Sequence, residues 1–64
     1  MTLLELGHNL LCRLKINRIF VFPDHFELRY QNEGKLVIAY GKTESETIEN
    51  FYELYEQAFS GKTF

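Results

Sequence analysis

Over the first fourteen residues the apolar positions recur every three or four. Leu3, Leu6, Leu10 and Leu14 fall on one side, with Gly7 and Leu11 beside them, so residues 2–14 are expected to form a helix. Thr2 and Glu5 have the spacing of a capping box. Gly7 inside such a helix costs about 1 kcal/mol relative to alanine. A close packing contact is one reason to keep it.

Beyond residue 18 the period changes to two. Ile19-Phe20-Val21-Phe22 is short, apolar and β-prone, and Pro23-Asp24 suits a tight turn after it. Phe26, Leu28 and Tyr30 alternate with His25, Glu27, Arg29 and Gln31, the pattern of a half-buried strand. Asn32-Glu33-Gly34 suits a three-residue hairpin loop with Gly34 in the left-handed position, and residues 36–40 complete a third strand. A helix from about Glu44 to Phe59 follows. Ile48, Phe51, Tyr52, Tyr55, Ala58 and Phe59 form its apolar stripe, Thr43 and Glu46 have capping-box spacing, and Gly61 is a stop signal.

The loop lengths set the expected register. A two-residue turn at Pro23-Asp24 pairs Phe22 with His25 and Val21 with Phe26. A three-residue loop at Asn32–Gly34 pairs Tyr30 with Leu36, Leu28 with Ile38 and Phe26 with Tyr40. Ile19, Val21, Phe26, Leu28, Tyr30, Leu36, Ile38 and Tyr40 then share a core face, and Phe20, Phe22, His25, Glu27, Arg29, Val37 and Ala39 point away from it. The expected fold is α+β, with the order α-β-β-β-α: a three-stranded antiparallel meander with an N-terminal and a C-terminal helix on one face. All 64 residues form one domain.

Composition sharpens this picture. Hydrophobic residues make up 45% and aromatic residues 16%, with six Phe and four Tyr, too apolar for a disordered chain. A chain this short buries only about 60% of its unfolded surface, so aromatic surface is left over for a partner. The net charge of −2 argues against general nucleic-acid binding. Its signs are segregated, however. Arg13, Lys15 and Arg18 cluster early, whereas Glu44, Glu46, Glu49, Glu53 and Glu56 line the last helix without a lysine or arginine among them.

Cys12 is the only cysteine, so no internal disulfide and no cysteine-based zinc site is expected. His8 and Cys12 lie one helical turn apart without a third group to complete a catalytic or metal site. They read as a surface histidine and a packed cysteine. No glycine-rich phosphate loop or embedded carboxylate pair is present. No enzyme and no cofactor is therefore expected. The N-terminus lacks a basic region and cleavage site of a signal peptide, and no apolar run approaches the length of a membrane span. A cytoplasmic protein that binds no membrane is expected.

Two candidate surfaces remain. The first is the acidic row of Glu46, Glu49, Glu53 and Glu56, opposite the apolar stripe. Glu49 and Glu53 form a like-charge i, i+4 pair that costs about 0.2–0.5 kcal/mol of helix stability. Either it is a solubilising face or it docks on a cationic groove. The second surface is the open sheet face, where exposed Phe20 and Phe22 call for a partner, a second copy or cover by Phe64 in the C-terminal tail.

The run FELRYQNEGKLVIAYGKTESETIENFYELYEQAF, about half of the chain, resembles the small phage-encoded anti-CRISPR inhibitors of the type II RNA-guided nuclease. The likeness lies in the α-β-β-β-α order, a strand ending in an Asn/Glu/Gly hairpin, a strand like LVIAY, and a Glu/Ser-rich helix start leading to Ile48 and Phe51. Members of that family use acidic side chains to occupy the site where the nuclease reads its short DNA signal. The resemblance thus implies an inhibitor that acts as a DNA mimic, with Glu46, Glu49, Glu53 and Glu56 on the target's basic groove. Two alternatives stay open: a nucleic-acid-binding regulator that uses residues 13–18 or the open sheet face, and a homodimeric structural protein.

Overall fold

Thr2 opens the first helix. Its hydroxyl accepts a hydrogen bond from the Glu5 amide, while the Glu5 carboxylate accepts from the Thr2 amide, so two of the orphan donors of a helix start are satisfied. The computed structural model, which describes residues 1–59, carries this helix, α1, from Leu3 to Arg13. It ends in a Schellman arrangement: the Ile16 amide donates to the Leu11 carbonyl and the Lys15 amide to that of Cys12. Lys15 sits in the left-handed region there, at φ 61°, where glycine is usual.

Three strands follow: β1 (Phe20–Val21), β2 (Phe26–Asn32) and β3 (Lys35–Gly41). They form an antiparallel sheet in the order β1-β2-β3. The second helix, α2, spans Glu44–Phe59. The expected order and α+β class are both present. Gly61 and Phe64, expected to stop the helix and to fold back, lie outside the described residues.

The first hairpin has the expected register. Val21 pairs with Phe26, Phe20 with Glu27, and the Phe22 amide donates to the His25 carbonyl at 2.9 Å. Val21 is nevertheless exposed rather than core. Only the half-buried Ile19 packs against the core from this segment.

The second hairpin differs from expectation by one residue. Tyr30 pairs with Val37, Leu28 with Ala39 and Phe26 with Gly41. The loop is a two-residue turn, Glu33-Gly34, with φ of 52° and 77°, the two positive values of a type I′ turn. Val37, Ala39 and Gly41 therefore face α2 and are buried, whereas Leu36, Ile38 and Tyr40 turn to the open side. The helix explains the choice. A Cβ on Gly41 would stand 2.5 Å from Thr47 Oγ1 and 2.6 Å from the Thr47 amide nitrogen. The space beneath α2 holds Gly, Ala and Val but not Leu, Ile and Tyr. That packing outweighs the left-handed strain at Glu33, on the order of 1 kcal/mol.

Leu10, Leu11, Leu28, Val37, Ala39, Ile48 and Phe51 make the core. Of the two helices, α2 lies across β3 and part of β2, and α1 packs against α2, its Leu10 and Leu11 joining Leu28 of β2 in the same core. Gly7 is the point of approach. Tyr30 reaches from β2 into an aromatic cluster with Phe51, Tyr55 and Phe59, at centroid distances of 5.9–6.4 Å. At the end of α2 the Lys35 ammonium donates to the Ala58 carbonyl at 2.9 Å and lies over the Phe59 ring.

Candidate interaction surface

The shifted hairpin enlarges the open sheet face. Phe20, Phe22, His25, Glu27 and Arg29 are on it, as the first hairpin requires, and Leu36, Ile38 and Tyr40 join them from β3. Leu36 and Tyr40 are 57% and 55% exposed, Phe20 and Phe22 38% and 39%. Val37 and Ala39, expected here, are instead core. The result is a face with three aromatic rings and two aliphatic side chains on one side of a three-stranded sheet.

At its centre lies a carboxylate. Glu27 pairs with Phe20 on one neighbouring strand and with Tyr40 on the other, and their flanking rings leave it only 4% exposed. Arg29 Nε donates to Glu27 Oε2, and the guanidinium lies over the Phe20 ring, 5.7 Å from its centroid. His25 Nε2 is 3.9 Å from Glu27 Oε1. The His25 ring stacks on Phe22 at 4.6 Å and tilts against Tyr40 at 5.7 Å. Its other nitrogen donates to Asp24 Oδ1 at 2.7 Å, a bond that holds the Asp24 carboxyl below the usual aspartate range. A buried carboxylate survives because it is paired and hydrogen-bonded. Sequence alternation had placed Glu27 on this face but gave no sign that neighbouring rings would cover it.

Along the β3 edge, this face continues into two shallow grooves of about 360 and 270 Å³ that meet at Ile38, Leu54 and Gln57. Asn50 and Glu53 line the second, and the Asn50 amide donates to the Tyr40 carbonyl at 2.8 Å. Leu54 stands at the flank of α2, off the apolar stripe, and is 38% exposed.

The acidic row proves less uniform than its spacing suggests. Glu46 has a local task. Its carboxylate accepts from the Lys42 amide while its own amide donates to Thr43 Oγ1, so it caps α2. The expected reciprocal bond is displaced by one residue, to Lys42. Glu49 and Glu56 are half-buried and Glu53 is exposed. Among the described residues no ion pair reaches Glu49 or Glu53. Of the row, Glu53 alone lines a groove with the open-face residues Ile38 and Tyr40.

Cys12, read as packed, is exposed, as is His8. Position 12 falls on the outer side of α1, away from Gly7, Leu10 and Leu11. Among the described residues no group of three or more histidine, cysteine or acidic side chains is placed to hold a metal ion, and no helix is long and apolar enough to cross a membrane. Comparison with protein-family models, with curated proteins and with solved structures gives no match.

Proposed function

We propose that this chain is a non-enzymatic protein-interaction module that docks a partner protein on its open sheet face. One observation carries the reading: Phe20, Phe22, Leu36, Ile38 and Tyr40 share the side of the sheet that neither helix covers. Contiguous apolar surface of this kind on a small domain marks an interface. Large rings held in place by neighbours make good anchors, because little side-chain freedom is lost on binding. Among the described residues the one carboxylate embedded there, Glu27, is already bonded to Arg29, which suits recognition better than acid–base chemistry. A net charge of −2 and the acidic α2 favour a partner whose contact patch is apolar with a cationic rim.

The test is a photo-crosslinking residue at position 22, with a control at position 8 on the outer side of α1, followed by titration of the purified crosslinked partner. The reading expects crosslinks from position 22 alone and loss of binding in the Phe20→Ser/Phe22→Ser variant. A purified partner that binds this folded variant as tightly as wild type overturns it.

A second reading is favoured by the carboxylates of Glu49 and Glu53, which meet no ion pair among the described residues: a nucleic-acid mimic that inhibits a cationic target such as an RNA-guided nuclease, as the family resemblance implies. Carboxylates spaced along a rigid helix offer charge-assisted hydrogen bonds to arginines that otherwise hold phosphates. Under this reading Glu49→Gln/Glu53→Gln abolishes inhibition and Phe20→Ser/Phe22→Ser does not.

A further inference from the structure

Among the described residues nothing pairs with the outer edge of β3, and we propose that a second copy of this chain occupies it, so that two three-stranded sheets join into one six-stranded antiparallel sheet. The dimer goes beyond the docking reading and does not rest on it.

Backbone geometry identifies the groups involved. In a two-residue hairpin the residues flanking the turn, Asn32 and Lys35, exchange hydrogen bonds, and every second pair after them does the same. Val37, Ala39 and Gly41 therefore point their amides and carbonyls at β2. Leu36, Ile38 and Tyr40 point theirs outward. The Asn50 side chain, which reaches the Tyr40 carbonyl from the helix side, confirms the direction. That carbonyl keeps a second lone pair for another donor.

Natural edges are blunted by brevity, proline, bulges or inward charges. β1 has two residues and is followed by Pro23 one position on from Phe22. β3 has seven residues in unbroken register, with lysine only at Lys35 and in the following Lys42. One competent edge per molecule means that pairing closes about a two-fold axis instead of growing into a fibre. The register centred on Ile38 uses all three outward residues, with Ile38 opposite Ile38 and Leu36 opposite Tyr40. It sets the two most exposed apolar side chains of the strand side by side on the open face. It also brings the Glu33 turn of each copy beside Lys42 of the other, an attractive pair at both ends.

The helix layer agrees. The flank of α2 that overlooks this edge carries Asn50, Leu54, Gln57 and Ala58, with Glu53 at the rim. It is the one stripe of the outward surface of α2 where the acidic row gives way to amides and a leucine. Two such flanks can face each other, Leu54 near Leu54 and Asn50 near Gln57, without apposing a row of like charges. The open faces of the two copies would then form one doubled surface.

The experiment is sedimentation equilibrium up to near-millimolar concentration, with amide exchange followed by NMR and the fold of each variant checked by far-UV circular dichroism. Wild type should pass from one to twice the 7.6 kDa chain mass. The amides of Leu36, Ile38 and Tyr40 should gain protection with concentration, while those of Val37 and Ala39 are protected throughout. Chemical synthesis with an N-methyl group on Ile38 removes an outward donor only, and Leu54→Glu places a charge between the helices. Each should weaken dimerisation at least tenfold, whereas Phe20→Ser/Phe22→Ser should leave it unchanged. A single chain mass at every concentration overturns the proposal. So does a dimer indifferent to both edge changes, and one that dissociates in the Phe20→Ser/Phe22→Ser variant instead uses the open face.

Discussion

Replacing Gly7 by alanine sets two effects of opposite sign against each other. Alanine is favoured over glycine in a helix interior by about 1 kcal/mol, and position 7 is in the middle of α1. The structure decides the other term. A Cβ there would stand 2.5 Å from Ile48 Cγ2 and 3.0 Å from the Ile48 carbonyl oxygen. Ile48 is 2% exposed and β-branched, so its methyl group cannot swing aside without leaving its rotamer. Overpacking a core in this way costs about 1–3 kcal/mol, and the backbone atom close behind the methyl puts the cost here in the upper part of that range, about 2–3 kcal/mol. The crowding therefore outweighs the propensity, and Gly7→Ala should destabilise the protein by about 1–2 kcal/mol in urea melts, a large share of what a domain of this size has. The origin can be isolated. In an Ile48→Ala background the offending methyl is gone, and Gly7→Ala should then cost less or become favourable. A Gly7→Ala variant as stable as wild type would refute the close approach of α1 to α2, and with it the way the two helices share the core.

Lys15→Gly should stabilise by about 1 kcal/mol in the same assay, because the residue after α1 is left-handed and glycine takes that conformation without strain. Glu33→Asn should likewise stabilise, on the order of 0.5–1 kcal/mol, by suiting the type I′ turn. Its bonds to Thr2 hold the Glu5 carboxyl below the usual glutamate range. A depressed carboxyl stabilises above its unfolded pKa and loses that contribution as pH falls through its folded pKa. The stability gap between wild type and Glu5→Ala should therefore be full at neutral pH and narrow on acidification below the ordinary glutamate range, as followed by urea midpoints across pH. Glu49→Gln/Glu53→Gln should raise the stability of the isolated protein by about 0.2–0.5 kcal/mol through relief of like-charge repulsion, with less effect at high salt.

Periodicity made the elements legible. The span of α2, the Thr2–Glu5 capping box and the Pro23-Asp24 turn all follow from local rules that the tertiary structure does not override. The second hairpin is where local reading stops. Asn32-Glu33-Gly34 suits a three-residue loop because glutamate seldom takes a positive φ. The structure accepts that strain so that Val37, Ala39 and Gly41, and not Leu36, Ile38 and Tyr40, lie under α2. A one-residue slip moves every side chain of a strand to the other face, so one loop exchanged Val37 and Ala39 for Leu36, Ile38 and Tyr40 on the open surface. Phe20 and Phe22 were placed correctly because the other turn was read correctly. Leu54 was legible only as a leucine off the apolar stripe. The capping role of Glu46 was visible in its spacing from Thr43, and that role sets it apart from Glu49 and Glu53, which spacing alone grouped with it.

The central claim is that the open sheet face binds a partner and does not complete the core. Titration of the purified crosslinked partner into wild type and into Phe20→Ser/Phe22→Ser, with the melting curve of each recorded, tests it most directly. The double variant should keep a cooperative melt and its far-UV spectrum while its affinity falls at least tenfold. Unchanged affinity in a folded variant would contradict it, and so would a variant that no longer folds, because those two rings would then be core.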